Sequence, residues 1–421
     1  MCGDAVNFTE GILEYMSFLI SKQPIFNQQG VTDAYELLYC FVSPENLEMS
    51  DEQATDEEIE NAKLYLKENM QTLFQHKTVY VRFSPRLLKE NFQESFLKEK
   101  LIIAASTEML ADAETLQKCM QLKRLGYRIA ISGMTYSEDH SKLFNFADVI
   151  RFDINSDVDD ITVTVKKCRE KGKLSVVDNV ETQDQFEFAR ENGIDYVRGE
   201  FYSKPVLETK RSGGPMIKTF LQILALLYSP EPNISYISAV ISTDPVLTIK
   251  LLKVINQICA DKSNTVSTVQ QALVMLGIDR LKEWIYLVGL QRLNRNAPAE
   301  ILRLALFRAR FCERISLNSG GGVGSRSMEA YLMGLISIVT GSTDAALSKA
   351  LDDLPVSEEI KQSIHGGGIF SDIYHLSCCY EKGDWEGVML YSSSCHISTD
   401  VLGFEYLNTQ QFVQKYGSFG A

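Results

Sequence analysis

A (β/α)8-type, TIM-like barrel followed by an all-helical bundle is the architecture that the sequence predicts, and three observations predict it. Short β-rich runs alternate with helical stretches from Gln23 to Pro205. Several of those runs are continuously apolar, as Leu101-Ile-Ile-Ala-Ala105 shows, which is what strands buried on both faces require. Beyond Pro205 the alternation stops and only helical periods remain. Repeated strand and helix over about 180 residues suggests a barrel whose chemistry sits at the C-terminal strand ends. An open doubly wound sheet has the same periodicity and stays open at this point.

The strand candidates, in order, are Pro24 to Phe26, Ala34 to Val42, Thr78 to Phe83, Leu101 to Ala105, Arg128 to Ser132, Val149 to Ile154, Leu174 to Val177 and Tyr196 to Phe201. Between them, apolar residues return at helical spacing in Asp56 to Phe74, Ala113 to Leu125, Thr162 to Lys171 and Asp184 to Asn192. The hinge-like run Lys210-Arg-Ser-Gly-Gly-Pro215 breaks the pattern. Asp244-Pro245 reads as an N-cap followed by proline in the first helical turn, leading into Val246 to Ile258. Ser267 and Gln270 have capping-box spacing at the start of Val269 to Leu290. Further helical periods run through Ala297 to Leu317, Met328 to Val339, Asp344 to Leu351 and Ser357 to Ile364. The resulting division is an N-terminal extension at 1–21, the barrel at 22–206, the helical domain at 214–408 and a tail at 409–421.

Composition narrows the function classes. The 421 residues are 45% hydrophobic and 23% charged, enough for two ordinary cores and little disorder. A formal charge of −13 repels phosphate backbones, so no nucleic-acid partner is expected and any nucleotide needs a local basic pocket. Nine cysteines include no Cys-x-x-Cys pair and no His-containing zinc spacing, as reduced thiols of a cytoplasmic protein would. The adjacent pair Cys378 and Cys379 reads either as a redox pair or as an amphipathic helix with one buried thiol. Acidic residues before Lys22 do not resemble a secretory signal, and no apolar run approaches the ~18 residues of a membrane span, so no membrane insertion is expected.

Several motifs are recognisable. Gln23-Pro-Ile-Phe26, Ala34-Tyr-Glu-Leu-Leu38, Leu122-Lys-Arg-Leu-Gly-Tyr-Arg-Ile-Ala130, Ala147-Asp-Val-Ile-Arg-Phe-Asp153, Val180-Glu-Thr182 and Gly199-Glu-Phe-Tyr-Ser-Lys-Pro205 together resemble, in the same order, the EAL domains. Those are cyclic di-GMP phosphodiesterases whose name-giving glutamate falls on Glu36. Farther on, Ser242-Thr-Asp-Pro-Val-Leu-Thr-Ile-Lys-Leu-Leu252 and Thr265-Val-Ser-Thr-Val-Gln-Gln-Ala-Leu-Val-Met-Leu-Gly277 resemble the core of HDOD domains, helical relatives of the HD phosphohydrolases that generally lack the metal-binding His and Asp. An EAL domain followed by HDOD is a bacterial signal-transduction architecture.

The first resemblance implies two divalent metals held by oxygen ligands at strand ends, and here the sequence departs from it. Glu36 keeps the first ligand position. The expected asparagine falls on Arg82, the glutamate of the next strand on Ala104, and a pair of aspartates on Ser132 and Gly133. A lysine becomes Arg151, a glutamate shortens to Asp178 and a late glutamine becomes Arg198, while Asp153 and Glu181 stay in register. Missing coordination and the repulsion of a guanidinium act against a metal pair in the same direction, so a degenerate phosphodiesterase with no catalytic residues, no metal and no cofactor is expected.

Two fates for the altered site stay open. Arg82, Arg151, Arg198 and Lys204 converge on the barrel mouth as a metal-free pocket for an anion such as cyclic di-GMP, or Arg82 and Arg198 pair with Glu36, Asp153 or Glu181 and neutralise a vestigial site. In the helical half, Ser337 and Ile338 fall where an active HD pair would stand, and neither is a plausible metal ligand. Gly320-Gly-Gly-Val-Gly324 lacks the Lys-Ser/Thr of a phosphate loop and reads as a helix connection. The expected function is a non-catalytic regulator in a cyclic di-GMP-related network such as motility or biofilm formation, binding protein partners mainly through the HDOD domain, with homodimerisation left open. The alternatives are a nucleotide receptor and a residual phosphodiesterase.

Overall fold

The computed structural model describes residues 18–42, 53–202, 231–258, 266–278, 299–320, 323–340 and 357–417, with a few single positions between 219 and 285. Eight strands close into a barrel, which excludes the open sheet: β1 (Phe18–Asn27), β2 (Thr32–Phe41), β3 (Thr78–Arg82), β4 (Leu101–Ser106), β5 (Arg128–Ser132), β6 (Val149–Asp153), β7 (Leu174–Asp178) and β8 (Tyr196–Arg198). Strands β2 to β8 run parallel to their neighbours, whereas β1 is antiparallel to both β2 and β8.

The antiparallel start follows from the chain between β1 and β2, which is too short for a crossover helix. Asn27 makes the reversal: its Oδ1 accepts from the backbone N–H groups of Gln29 and Val31, each at 3.0 Å, in an Asx-type turn. Strand β1 begins at Phe18, inside the stretch that the sequence reading assigns to an N-terminal extension. Phe18, Leu19 and Ile20 are buried, and their cross-strand pairing with Phe41, Cys40 and Tyr39 makes them part of the barrel wall.

Helices fill the crossovers: α1 (Asp56–Phe74), α2 (Pro85–Lys89), α3 (Ala113–Arg124), α4 (Ser141–Phe146), α5 (Val158–Glu170) and α6 (Gln183–Glu191). The acidic run at residues 51–60 contributes the start of α1, where Thr55 and Glu58 form a capping box and Asp56 to Glu58 lie at the positive end of the helix dipole. The short α2 and α4 escape a reading based on periodicity, because five or six residues complete too few turns to show one.

Inside the barrel, side chains from alternate strand positions fill the centre. Ile25, Ala34, Tyr80, Ile102, Ala104, Ala130, Val149 and Val176 form one apolar layer. Side chains alternate along a strand, so the inward positions one step further on are Glu36, Arg82, Ser132, Arg151 and Asp178, with Arg198 following Tyr196. The sequence therefore stacks a charged layer directly on an apolar plug.

The chain divides into two compact units. One comprises Met1–Tyr202 with Leu376–Asn408, the other Ser203–His375 with Thr409–Ala421. The helical domain expected at 214–408 is thus shared between them, because residues from Leu376 to Asn408 pack with the barrel. Leu376, Tyr380, Val388, Leu402 and Tyr406 are buried there, with the Tyr380 and Tyr406 rings stacked 5.0 Å apart.

The described helices of the second unit include Ile234–Ser242, Pro245–Ile258, Val269–Leu276, Ala299–Asn318, Ser327–Thr340 and Glu358–Ile364. Asp244 accepts from the Leu247 N–H at 3.0 Å, as its position before Pro245 predicts. The expected Ser267/Gln270 box is corrected by one residue: Thr268 is the N-cap and accepts from the Gln271 N–H, and the helix ends at Leu276, where Gly277 follows with a positive φ of 77° that glycine adopts readily. Leu281, Trp284 and Ile285 are buried, as bundle core should be. The glycine run follows the helix Ala299–Asn318 and leads into a short 3-10 turn at Val323–Arg326, so it joins helices and follows no strand. The period expected at Asp344 to Leu351 lies outside the described residues. Among the described residues, no single helix is long and apolar enough to cross a membrane.

The helices Ala299–Asn318 and Ser327–Thr340 cross at Gly334, where a Cβ would lie 2.4 Å from the Arg308 carbonyl oxygen. A Gly334→Val substitution should therefore cost about 1–3 kcal/mol by forcing the helices apart. Denaturant unfolding of the full-length chain checks this, and an unchanged midpoint would contradict the close crossing.

Candidate functional site

The charged layer at the barrel mouth is a closed ion network centred on Arg151, which is fully buried. Its Nη1 donates to Glu36 Oε1 at 3.1 Å and its Nη2 to Glu36 Oε2 at 2.8 Å, a fork-to-fork pair. On its other edge, Nε donates to Asp178 Oδ2 at 3.1 Å and Nη2 to Asp178 Oδ1 at 2.8 Å. One guanidinium thus bridges two carboxylates, and its Cζ lies over the Tyr80 ring of the layer beneath, 5.6 Å from the ring centre.

Arg198 closes the network from β8. Its Nε donates to Asp178 Oδ1 at 2.7 Å, and its Nη1 lies 3.0 Å from Glu36 Oε2 and 2.7 Å from Gln23 Oε1. Two guanidiniums and two carboxylates cancel in charge, which is the condition for holding such groups out of water. Burial alone would push Glu36 and Asp178 up, but the Arg151 and then the Arg198 guanidinium outweigh it and hold both below the usual carboxylate range. Burial would likewise lower Arg151, and Glu36 and Asp178 reverse that, keeping it charged.

The other residues named from the sequence fall outside this network. Arg82 ends β3 with its side chain exposed and in no ion pair among the described residues, and its carbonyl accepts from the Tyr39 hydroxyl at 2.8 Å. Asp153 turns to the rim, where it accepts from the backbone and side chain of Asn155 and from the Asn179 side chain. Glu181 is exposed in front of α6, its backbone N–H bonded to Gln185. Ala104 is buried in the apolar layer. Ser132 is buried with no hydrogen-bond partner for its Oγ, and Gly133 adopts a φ of 76°. Lys204 lies outside the described residues. The pairing of Arg198 with Glu36 was one of the two expectations; the central place of Arg151, the part of Asp178 and that of Gln23 were not foreseen. Gln23 opens the Gln23-Pro-Ile-Phe26 motif, and only the strand pairing places it opposite Glu36.

These residues do not fit a pair of divalent ions. Such a pair needs several hard oxygen donors with free lone pairs. Glu36 and Asp178 present theirs to guanidinium N–H groups, and the positions of Ala104 and Gly133 carry no ligand atom. Among the described residues, no cluster of three His, Cys, Asp or Glu side chains is spaced to hold a metal.

In the second unit, Ser337 is buried; its Oγ donates to the Gly334 carbonyl at 2.7 Å and lies 3.4 Å from Arg308 Nη1. The side chain of Ile338 lies outside the described residues. The thiols of Cys378 and Cys379 are unbridged, and burial, reinforced by a hydrogen bond to Asp384, pushes Cys379 up to about 12, which opposes the thiolate that redox chemistry needs.

Two expectations follow. Replacing Arg151 by Met leaves two buried carboxylates short of their main partner and should cost the barrel about 3–5 kcal/mol in a denaturant titration at neutral pH; a loss below about 1 kcal/mol would contradict the bridging role. Because Glu36 and Asp178 are depressed in the folded protein, their contribution is fully present above the ordinary carboxylate range near pH 4 and is lost as pH falls through their folded values. Stability measured from pH 6 downward should therefore fall less steeply in a Glu36→Gln, Asp178→Asn double variant than in the wild type, and equal slopes would show that these groups do not drive the acid loss.

Comparison with known proteins places the two halves. Residues 16–205 match the family model of the EAL domain, and residues 215–339 match that of the HDOD domain. The uncharacterized protein YuxH of Bacillus subtilis is 26% identical over 387 residues, spanning 88% of this chain and 92% of that protein. Cyclic di-GMP phosphodiesterase CdgJ of Vibrio cholerae is 23% identical over 409 residues, 94% of this chain and 92% of its own length. Among solved structures, the FimX EAL domain of Pseudomonas aeruginosa bound to c-di-GMP is similar at 21% identity and a TM-score of 0.35, covering 48% of this chain and 95% of that one. By these two family matches, the chain carries an EAL domain followed by an HDOD domain.

Proposed function

We propose that this protein is a non-catalytic regulator in a cyclic di-GMP-related signalling network, working in the cytoplasm through protein–protein contacts of its EAL and HDOD domains. The observation that carries this reading is the bidentate grip of Arg151 on both Glu36 and Asp178. Glu36 and Asp178 each face two guanidiniums, which leaves each carboxylate few lone-pair directions for a metal, and a buried cation at the same spot repels one. Ala104, Ser132 and Gly133 supply no carboxylate in compensation. The signalling context is supported by the EAL and HDOD matches and by the relative whose name is cyclic di-GMP phosphodiesterase.

A second reading, a metal-free cyclic di-GMP receptor, has specific support in the exposed Arg82 at the rim, which is in no ion pair among the described residues, and in the buried Ser132 Oγ, which has no hydrogen-bond partner among them. The name of the Vibrio cholerae relative favours a third, residual hydrolysis.

Purified full-length protein incubated with cyclic di-GMP and Mg²⁺ or Mn²⁺ should yield no linear product, and turnover abolished by Glu36→Ala would overturn the proposal. Calorimetry with cyclic di-GMP in the absence of metal separates the first two readings: saturable heat without turnover establishes the receptor, and no heat at high micromolar ligand retires it.

A further inference from the structure

The barrel mouth is met by a second segment of the same unit, the turn between the helices Ser371–Lys382 and Trp385–Ser394. Four contacts seat this turn on the rim beside the ion network. Ser21 Oγ donates to the Glu381 carbonyl at 3.3 Å. Gln23 Nε2 donates to the Lys382 carbonyl at 3.3 Å. The Lys382 ammonium pairs at 3.1 Å with Glu200, two residues beyond Arg198. Gly383 lies against Leu38, one inward step beyond Glu36 on β2. The Gln23 amide is the joint, because its oxygen takes the Arg198 guanidinium while its nitrogen holds the turn.

Gly383 is required here twice over. Its φ of 68° lies in the left-handed region, and an added Cβ would come 2.6 Å from Leu38 Cδ1. The turn is further fixed by Asp384, which accepts from the Gly387 N–H at 3.1 Å and starts the next helix, and by the Tyr380 ring packed edge-on against Trp385. Chemistry in a barrel of this kind enters at the C-terminal strand ends. The turn meets that end on the β1, β2 and β8 side, through Ser21, Gln23, Leu38 and Glu200, and Gln23 joins it to Arg198.

We propose that the turn Lys382–Asp384 is an autoinhibitory cover: the chain supplies its own occupant for one side of the barrel mouth and shields the Arg198 guanidinium from solutes, including any phosphate ligand that would pair with it. The cover acts whether or not the barrel is catalytically inert, since it rests on the position of the turn and not on metal ligands. A ligand that reaches Arg198 has to displace Lys382, and tighter seating of the turn lowers the affinity of the mouth by the same factor.

Arginine modification by phenylglyoxal in the full-length protein, mapped by peptide mass, tests this. Arg82 serves as the exposed reference and Arg151 as the internal control for an intact barrel. In the wild type, Arg198 should react slowly relative to Arg82. In Gly383→Ala, where the new methyl group lifts the turn off Leu38, and in Lys382→Glu, where a carboxylate faces Glu200, the Arg198 rate should rise about tenfold, the opening of a local contact, while Arg151 stays protected. If Gly383→Ala exposes Arg151 as well, the variant has unfolded and the Lys382→Glu rates decide. Unchanged Arg198 reactivity in both variants overturns the proposal. So does exposure of Arg151 together with Arg198 in both, because the turn would then be a part of the core and not a cover.

Discussion

The guanidinium of Arg151, held between Glu36 and Asp178 in the mouth of the barrel, is the interaction on which the rest of this site depends. It uses four of its five N–H donors on two carboxylates contributed by strands far apart in sequence, and it does so without exposure to water. A charge in such a place is stable only when matched, and the match here is complete: Arg198 supplies the second cation to the two anions. Where a metal-dependent barrel would gather anionic donors around divalent ions, this one gathers them around arginine.

The barrel architecture makes that substitution local. The closed apolar layer from Ile25 to Val176 is indifferent to what sits above it, so strand register and crossover helices persist while the layer at the mouth changes its chemistry. Asp153, beyond the network on β6, accepts from Asn155 and Asn179 in the loops after β6 and β7, and Glu181 is exposed with its backbone N–H bonded to Gln185. The charged side chains of the mouth are thereby divided between an ion network and ordinary loop bonding. On the β1, β2 and β8 side, the network continues through Gln23 into the turn at Lys382, so the chain's later helices help to define the mouth.

Much of the fold was legible in the residues. Strands such as Leu101-Ile-Ile-Ala-Ala105 declare themselves because both faces are buried, and α1 spans the predicted Asp56 to Phe74 because its cap and its apolar spacing agree. Where the reading slipped, a local signal competed with a nearby equivalent: Thr268, not Ser267, caps its helix, since either hydroxyl fits the spacing and only the backbone decides. Strand β1 starts earlier than Pro24 because its partner, β2, extends the pairing back to Phe18. The site was legible in identity and not in depth. Alternation puts Arg82, Arg151 and Arg198 on the inward face alike, but Arg82 ends its strand in solvent while Arg151 lies beside Asp178 below the rim. The packing of Leu376–Asn408 with the barrel has no sequence signal at all, for it depends on contacts between residues more than three hundred positions apart, such as Ser21 and Glu381.

Anomalous diffraction from crystals of the full-length protein soaked in Mn²⁺ tests the central claim most directly. The account predicts an intact Arg151 bridge and no manganese peak within coordination distance of Glu36 or Asp178. A pair of manganese ions bound to Glu36, with the Arg151 side chain swung aside, would contradict it.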